Sequence, residues 1–348
     1  MLDFSTATLD KFASTWVGNK GRYEGLKIPK TSLLNLSEVS EELVILANLA
    51  PFKKSSEFFY LFDEKGPHKN KVYNSVKAIF ADPANLGTET ATLANLLYEC
   101  TVYPKVQGGE FFVSLFKDIL LDGEVTEAVV LWKVEDKTSF IHTENSAESL
   151  LVSPSMGIQT TPKVAAIIFN LDENEGYRLC LVDKITKKDE RSFWKDDFLR
   201  VREVEDNYFQ TKHTMACIAE FITSKARFKF GLDEVKTMAL LDKAVNYFKD
   251  FDEWTMEDFC EKVFDNEDMA DALNLFYSEY KVAYALPLDD FFELSSVAVK
   301  KFSSLFVNRL KLDKNFKIQV ISRPDLIEGG YDEEKGKKFY KIYFETQE

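Results

Sequence analysis

The sequence predicts an α+β protein: an antiparallel sheet with flanking helices in its first part, then a helical part ending in a β-hairpin. Three observations carry this prediction. Between residues 111 and 182 four apolar runs of strand length occur, the last two joined by a short polar loop, which implies antiparallel pairing. After Asp206 the apolar residues recur at helical spacing. Near the end, Phe316, Ile318 and Val320 alternate with Lys317 and Gln319, the period of a strand with one wet face. The expected division is an α+β domain over 1–225 and a helical domain over 226–348.

Taken in order, Ser37 is placed to cap a helix carrying Val39, Leu43, Leu46 and Ala47 on one face, and Phe58 to Phe62 reads as a short strand. Lys69 to Phe80 and Glu89 to Val102 read as helices, with stripes Val72, Val76, Ile79, Phe80 and Leu93, Leu96, Leu97. Tyr103-Pro104 ends the second, because a residue before proline is pushed out of helical angles. Gly108-Gly109 then turns the chain into the four strands 111–116, 128–134, 164–171 and 177–182. The third, Val-Ala-Ala-Ile-Ile-Phe, is apolar on both faces and is therefore expected to be central and covered on both sides. Asp172-Glu-Asn-Glu-Gly176 is a turn with glycine where positive φ is expected, and His142 to Pro162 reads as a polar insertion.

Phe193, Trp194, Phe198 and Leu199 close this strand-rich region, and Asp206 or Asn207 caps the helix of Met215, Ile218 and Ile222. Further on, Thr255 is an expected N-cap answered by Asp258, with Trp254 stapled to Phe259. Met269, Leu273, Phe276 and Tyr280 mark the next helix, ended by Pro287. Phe291, Phe292, Leu294, Phe302 and Leu305 suggest a last one before the hairpin.

A chain of 348 residues with 45% hydrophobic content and 30 phenylalanines is ample for a packed core. It has no cationic start followed by an apolar run and no apolar stretch of membrane-spanning length, so a soluble, non-exported protein is expected. Cys100, Cys180, Cys217 and Cys260 lie apart inside apolar patterns, as buried thiols of a reducing cytoplasm do. The net charge of −14 disfavours a polyanion partner overall, but from Lys300 onward eleven basic residues face eight acids. That tail is +3 and everything before it −17, so the tail alone suits a polyanion. A hairpin with Lys341 between Tyr340 and Ile342 could track a phosphate backbone; the same lysines would equally guard a solvated edge strand against aggregation.

Catalytic chemistry is sparse. No P-loop or Gly-x-Gly-x-x-Gly occurs, and His213 with Cys217, four residues apart, makes no zinc site without further ligands. Asp122 with Glu135-Asp-Lys137 loosely fits a metal-dependent nuclease, a pattern short enough to arise by chance among 58 acids. No catalytic residue, metal or cofactor is assigned.

Trp194-Lys-Asp-Asp-Phe198 followed by Asn207-Tyr-Phe-Gln-Thr-Lys-His213 resembles the central segment of the bacterial 37-kDa nucleoid-associated protein family, in its Bacteroidetes-type form. Tyr103-Pro-Lys-Val-Gln-Gly-Gly-Glu-Phe-Phe112 resembles that family's Tyr-Pro-x-x-x-Gly-Gly turn, and Leu312 to Phe316 with Gly330 to Gly336 resemble its C-terminal hairpin. The resemblance implies a non-enzymatic protein of the cytoplasm and nucleoid that binds double-stranded DNA with little sequence preference. Backbone contacts would come from Lys314, Lys317, Arg323, Lys335, Lys337, Lys338 and Lys341, with Arg200, Arg202 and Lys212 near the junction. Two alternatives stand beside it: an acidic adaptor recruited by a nucleoid protein, and the nuclease. An exposed hairpin edge leaves room for a homodimer.

Overall fold

The computed structural model describes residues 2–29, 33–34, 36–135, 137–145, 150–158, 160–187, 191–312, 315–320 and 323–346. It is an α+β protein that divides into two compact units, Met1–Val204 and Glu205–Glu348.

The first unit is built on one antiparallel sheet. Its elements are β1 (Leu2–Asp3), β2 (Thr8–Val17), β3 (Leu26–Lys27), α1 (Glu38–Leu49), β4 (Phe59–Leu61), α2 (Lys71–Ala81) and α3 (Leu86–Cys100). There follow β5 (Gly109–Leu121), β6 (Glu124–Val134), β7 (Lys137–Asn145), β8 (Leu150–Ile158), β9 (Val164–Phe169), β10 (Arg178–Asp183) and β11 (Val201–Glu203). The sheet runs β11-β4-β10-β9-β6-β5-β2-β3, with β1 also on β5. β9 is interior to this order and all six of its residues are buried, as its two-faced apolarity predicts. Val164, Ala166 and Ile168 face a core with Val72, Val76, Leu93, Leu97 and Trp194. Ala165, Ile167 and Phe169 face another with Ala47, Leu49 and Phe52. Each large side chain so buried contributes about 1.5–3 kcal/mol.

One reading is corrected here. Of the stripe expected to seat α1, Leu43 and Leu46 point outward and Ala47 inward. Leu43 and Leu46 are 54% and 53% exposed, while Ala47 and Leu49 are buried and Val44 and Ile45 pack inward. The deciding contact is polar: Asn48 on the buried face bonds Ser114 on β5 at 2.9 Å. The side chain of Val39 lies outside the described residues. Residues 142–162, expected as an ordered or semi-ordered polar insertion, contain β8 and part of a two-stranded hairpin, β7–β8, in which Phe140, Ile141, Leu151, Val152 and Met156 are exposed. The strand β2, unrecognised in the sequence, pairs with β5 from Gly109 to Lys117.

The second unit contains α4 (Asn207–Glu220), α5 (Arg227–Lys229), α6 (Glu234–Asp250), β12 (Glu253–Thr255), α7 (Met256–Val263), α8 (Glu267–Ala283), β13 (Phe291–Glu293) and α9 (Ser296–Phe302). It ends in β14 (Asn308–Leu312), β15 (Phe316–Val320), β16 (Ile327–Asp332) and β17 (Lys337–Ile342). The predicted caps form: the Asp206 carboxylate accepts from the Phe209 amide at 3.0 Å, and the Thr255 hydroxyl from the Asp258 amide at 3.1 Å. Trp254 staples to Phe259 with ring centroids 5.1 Å apart. Asp258 does not return the cap; its carboxylate takes the Tyr247 hydroxyl at 2.9 Å and the Lys262 ammonium. Phe291 and Phe292 belong to a strand paired with β12, not to the last helix, because Phe292 must lie against Trp254 (6.2 Å between centroids).

Candidate nucleic-acid interface

The basic tail folds as two hairpins. The strand 316–320 was expected to pair with 337–342; instead β15 pairs with β14, and β17 with β16. Pairing cannot be read from alternation alone, which marks a strand without naming its partner.

On the first hairpin Leu312, Ile318 and Val320 pack with Val235 and Met238 of α6. Register sets Arg309 opposite Gln319 and Lys311 opposite Lys317. Lys314, in the intervening turn, lies outside the described residues.

On the second hairpin Ile327 and Tyr340 face the same core, and the other face carries its own counterions. Glu328 is paired with Lys341 and Asp332 with Lys337. The Tyr343 hydroxyl donates to Glu328 Oε2 at 3.0 Å, and Lys341 Nζ lies over the Tyr343 ring, 5.4 Å from its centroid. Contact with Tyr343 raises the Lys341 pKa. Lys335 Nζ is 3.3 Å from Asp332 Oδ2. Arg323 grips Asp325 with Nε at 2.9 Å and Nη2 at 2.8 Å, which holds the Asp325 carboxyl below the usual carboxylate range. Lys338 is exposed and lines, with Arg227 and Lys236, a cleft of about 510 Å³ whose other charges are Asp233, Glu234 and Glu328.

The charge of the tail divides between the hairpins. Residues 300–320 hold six basic side chains and one acid, whereas 323–348 hold five basic and seven acidic. The basic excess therefore resides in α9 and the first hairpin. The rest of this unit, 205–299, has nine basic residues against twenty acids.

The junction cations are engaged. Arg200, in the left-handed region at φ 54°, places Nη2 2.9 Å from Asp63 Oδ2. Arg202 Nη2 lies 2.7 Å from Glu175 Oε2, with its guanidinium 5.3 Å from the Tyr60 ring centroid. Both belong to the first unit. Lys212 is half-buried on α4 in the second and has a partner of its own.

The nuclease pattern is not assembled. Asp122 precedes β6 and Glu135 follows it, so an eleven-residue strand, about 35 Å, separates them. Glu135 is buried and holds Lys133 Nζ at 2.7 Å, with Lys163 Nζ at 3.8 Å. Burial lowers the Lys133 pKa, against the pull of Glu135. Asp136 lies outside the described residues, among which no group of three or more His, Cys, Asp or Glu is placed to hold a metal. The cysteines are free thiols; burial pushes Cys100 and Cys260 up to about 11.

The segments that carry the family resemblance hold the fold together. The Tyr103 hydroxyl donates to Asp197 Oδ2 at 2.6 Å, joining the Tyr-Pro turn to the Trp-Lys-Asp-Asp-Phe segment, and Trp194 Nε1 donates to the Ala165 carbonyl at 3.2 Å. A Cβ on Gly109 would lie 2.0 Å from the Val134 carbonyl oxygen, so only glycine fits there. In the second unit, buried Gln210 donates to the Pro287 carbonyl and accepts from the Asp289 amide, both at 3.0 Å. Thr211 Oγ1 accepts from the Ser295 amide at 2.9 Å. These motifs are read from the sequence as a family signature; their bonding roles could not be, since each partner is distant along the chain.

No curated protein matches the chain. The family model for nucleoid-associated protein YejK matches residues 35–336, which takes in both motif-bearing segments and the β14–β15 hairpin. No helix among the described residues is long and apolar enough to cross a membrane. With most of its length matched, the chain belongs to the nucleoid-associated protein YejK family.

Proposed function

We propose that this chain binds the phosphate backbone of double-stranded DNA in the bacterial nucleoid with little sequence preference, and that the β14–β15 hairpin supplies the principal contact. One observation carries the reading: residues 300–320 set six basic residues against one acid and pair Lys311 with Lys317. Like charges directly opposite destabilise a free hairpin, and a phosphate between them converts the repulsion to attraction. Contacts of this kind position a protein without reading bases. Twenty acids in residues 205–299 repel the duplex from the helical surface and favour approach by the hairpin.

In this reading Lys314 and Lys317, with Arg309 and Lys311, make the main contacts. Lys337 and Lys338 are auxiliary. Arg323, Lys335, Lys341, Arg200 and Arg202 contribute less, because a phosphate must displace a tyrosine or a carboxylate already in place. Lys212 is auxiliary, because it already has a partner of its own. The acidity of both units supports a second reading, an adaptor steered to the nucleoid by a basic protein partner: residues 1–204 hold 24 basic and 30 acidic side chains.

Fluorescence anisotropy on a random-sequence duplex across a salt series separates the two. The wild type is expected to bind, with affinity falling steeply in salt by about 0.9 in logarithmic slope per phosphate contact. Arg309→Ala/Lys311→Ala/Lys317→Ala should flatten the slope more than Lys335→Ala/Lys337→Ala/Lys341→Ala. Absence of binding at low salt would leave the adaptor.

A further inference from the structure

One concave site in the second unit joins apolar walls to free cations. It lies between the C-terminal turn of α6 and α9, with a volume of about 450 Å³. Buried Phe248 and Val299 form its floor, with half-buried Leu294 beside them. Phe251, 38% exposed, forms a wall. That ring is held in place: Tyr247 lies against it with centroids 4.8 Å apart, and Lys262 Nζ stands 4.8 Å from its centroid. Lys249 and Lys300 are exposed at the rim, and neither is paired with a carboxylate among the described residues. Asp252 is the one acid among the lining residues. A cavity of this size with apolar walls and a few polar groups is the usual form of a ligand site.

We propose that this pocket takes an unpaired nucleotide of a DNA strand, its base against Phe248, Phe251, Leu294 and Val299 and its flanking phosphates on Lys249 and Lys300. The proposal rests on the DNA reading above and deepens it. Apolar walls shield the faces of a base from water, and Asp252 can accept from a base amino group. A bare phosphate would engage the lysines and leave the apolar floor wet, and a wholly apolar ligand would leave the lysines unused. A nucleotide engages both. The surroundings select a single strand over a duplex. Residues 205–299 repel phosphates with twenty acids against nine basic residues, and a duplex presents one charge per about 1.7 Å where a single strand presents one per about 3.4 Å. Position agrees. α6 packs on the β14–β15 hairpin through Val235 and Met238, and it lines the pocket with Phe248, ten residues or about 15 Å further along the helix. That distance is about four to five nucleotides at about 3.4 Å each, so DNA held by the hairpin brings an opened strand within reach.

Fluorescence anisotropy of the full chain on two duplexes, one fully paired and one carrying a short central bubble of mismatched cytosines, tests the proposal. The wild type should bind the bubble about tenfold more tightly, the worth of one base held in an aromatic-lined site. Ser296, exposed at the first residue of α9 and part of the lining, allows the pocket to be filled from outside the core. Ser296→Trp should remove the preference, leave affinity for the paired duplex unchanged and keep a cooperative thermal melt. Lys249→Ala/Lys300→Ala should also remove it and lower the logarithmic salt slope on the bubble by about 1.4, for two single-strand phosphate contacts. Arg309→Ala/Lys311→Ala/Lys317→Ala should weaken both duplexes alike and leave their ratio. Equal wild-type affinity for the two duplexes, or a preference that survives Ser296→Trp, would overturn the pocket and leave the DNA reading standing. Binding to neither would overturn both. Decanoate probes the other occupant: if Ser296→Trp abolishes its calorimetric binding but not the bubble preference, the pocket holds a small amphipathic anion instead.

Discussion

Replacing Lys317 with Gln removes one member of the Lys311–Lys317 pair and has opposite expected effects on stability and on binding. Facing like charges across a strand pair cost about 0.2–1 kcal/mol. Relieving them should stabilise the free protein by about 0.5 kcal/mol, which in a unit of this size raises the melting temperature by about 1–2 °C. The same substitution removes one phosphate contact. That lowers the logarithmic salt slope by about 0.9, equivalent to about eightfold weaker binding at 0.1 M salt. Differential scanning calorimetry of the free protein and anisotropy on a random duplex read the two effects separately. A position kept for stability would show the reverse pattern. If Lys317→Gln melts lower and binds DNA as the wild type does, the facing lysines serve the fold and the proposed interface fails.

Three further outcomes follow from buried contacts, each read by urea denaturation. Gln210→Ala leaves the Pro287 carbonyl and the Asp289 amide without their partner and should cost about 1–3 kcal/mol, with DNA binding of the folded fraction unchanged. Lys133→Met leaves buried Glu135 with only the more distant Lys163 and should cost about 3 kcal/mol, whereas Lys133→Met/Glu135→Leu should recover most of that loss, because a buried ion pair is worth little against apolar residues of similar volume. Gly109→Ala drives a methyl into the Val134 carbonyl and should cost about 1–3 kcal/mol; a neutral result would show that β5 and β6 can separate there without penalty.

How much of this was legible in the sequence depends on the range of the interaction concerned. Caps are local: Asp206 and Thr255 each bond an amide three residues on, and both are plain from residue type and spacing. The central place of β9 is also legible, because a strand apolar on both faces has nowhere else to go. Leu43 and Leu46 face solvent because Val44, Ile45 and Leu49 join Ala47 on a second apolar face at similar spacing, and it is that face, with the Asn48–Ser114 contact, that meets the sheet.

The candidate site shows the same division more sharply. Composition alone places the basic excess after Lys300, and the quoted motifs alone point to the family. Composition does not say which cations are already matched. Arg202 finds Glu175 and Arg200 finds Asp63 only because β11 lies on β4, and Lys341 meets Glu328 only because β17 pairs with β16 rather than β15. Charge summed over a segment is a property of the sequence. Charge left unpaired on a surface is set by strand register and by contacts between residues far apart in the chain, and these exist only once the tertiary structure has formed.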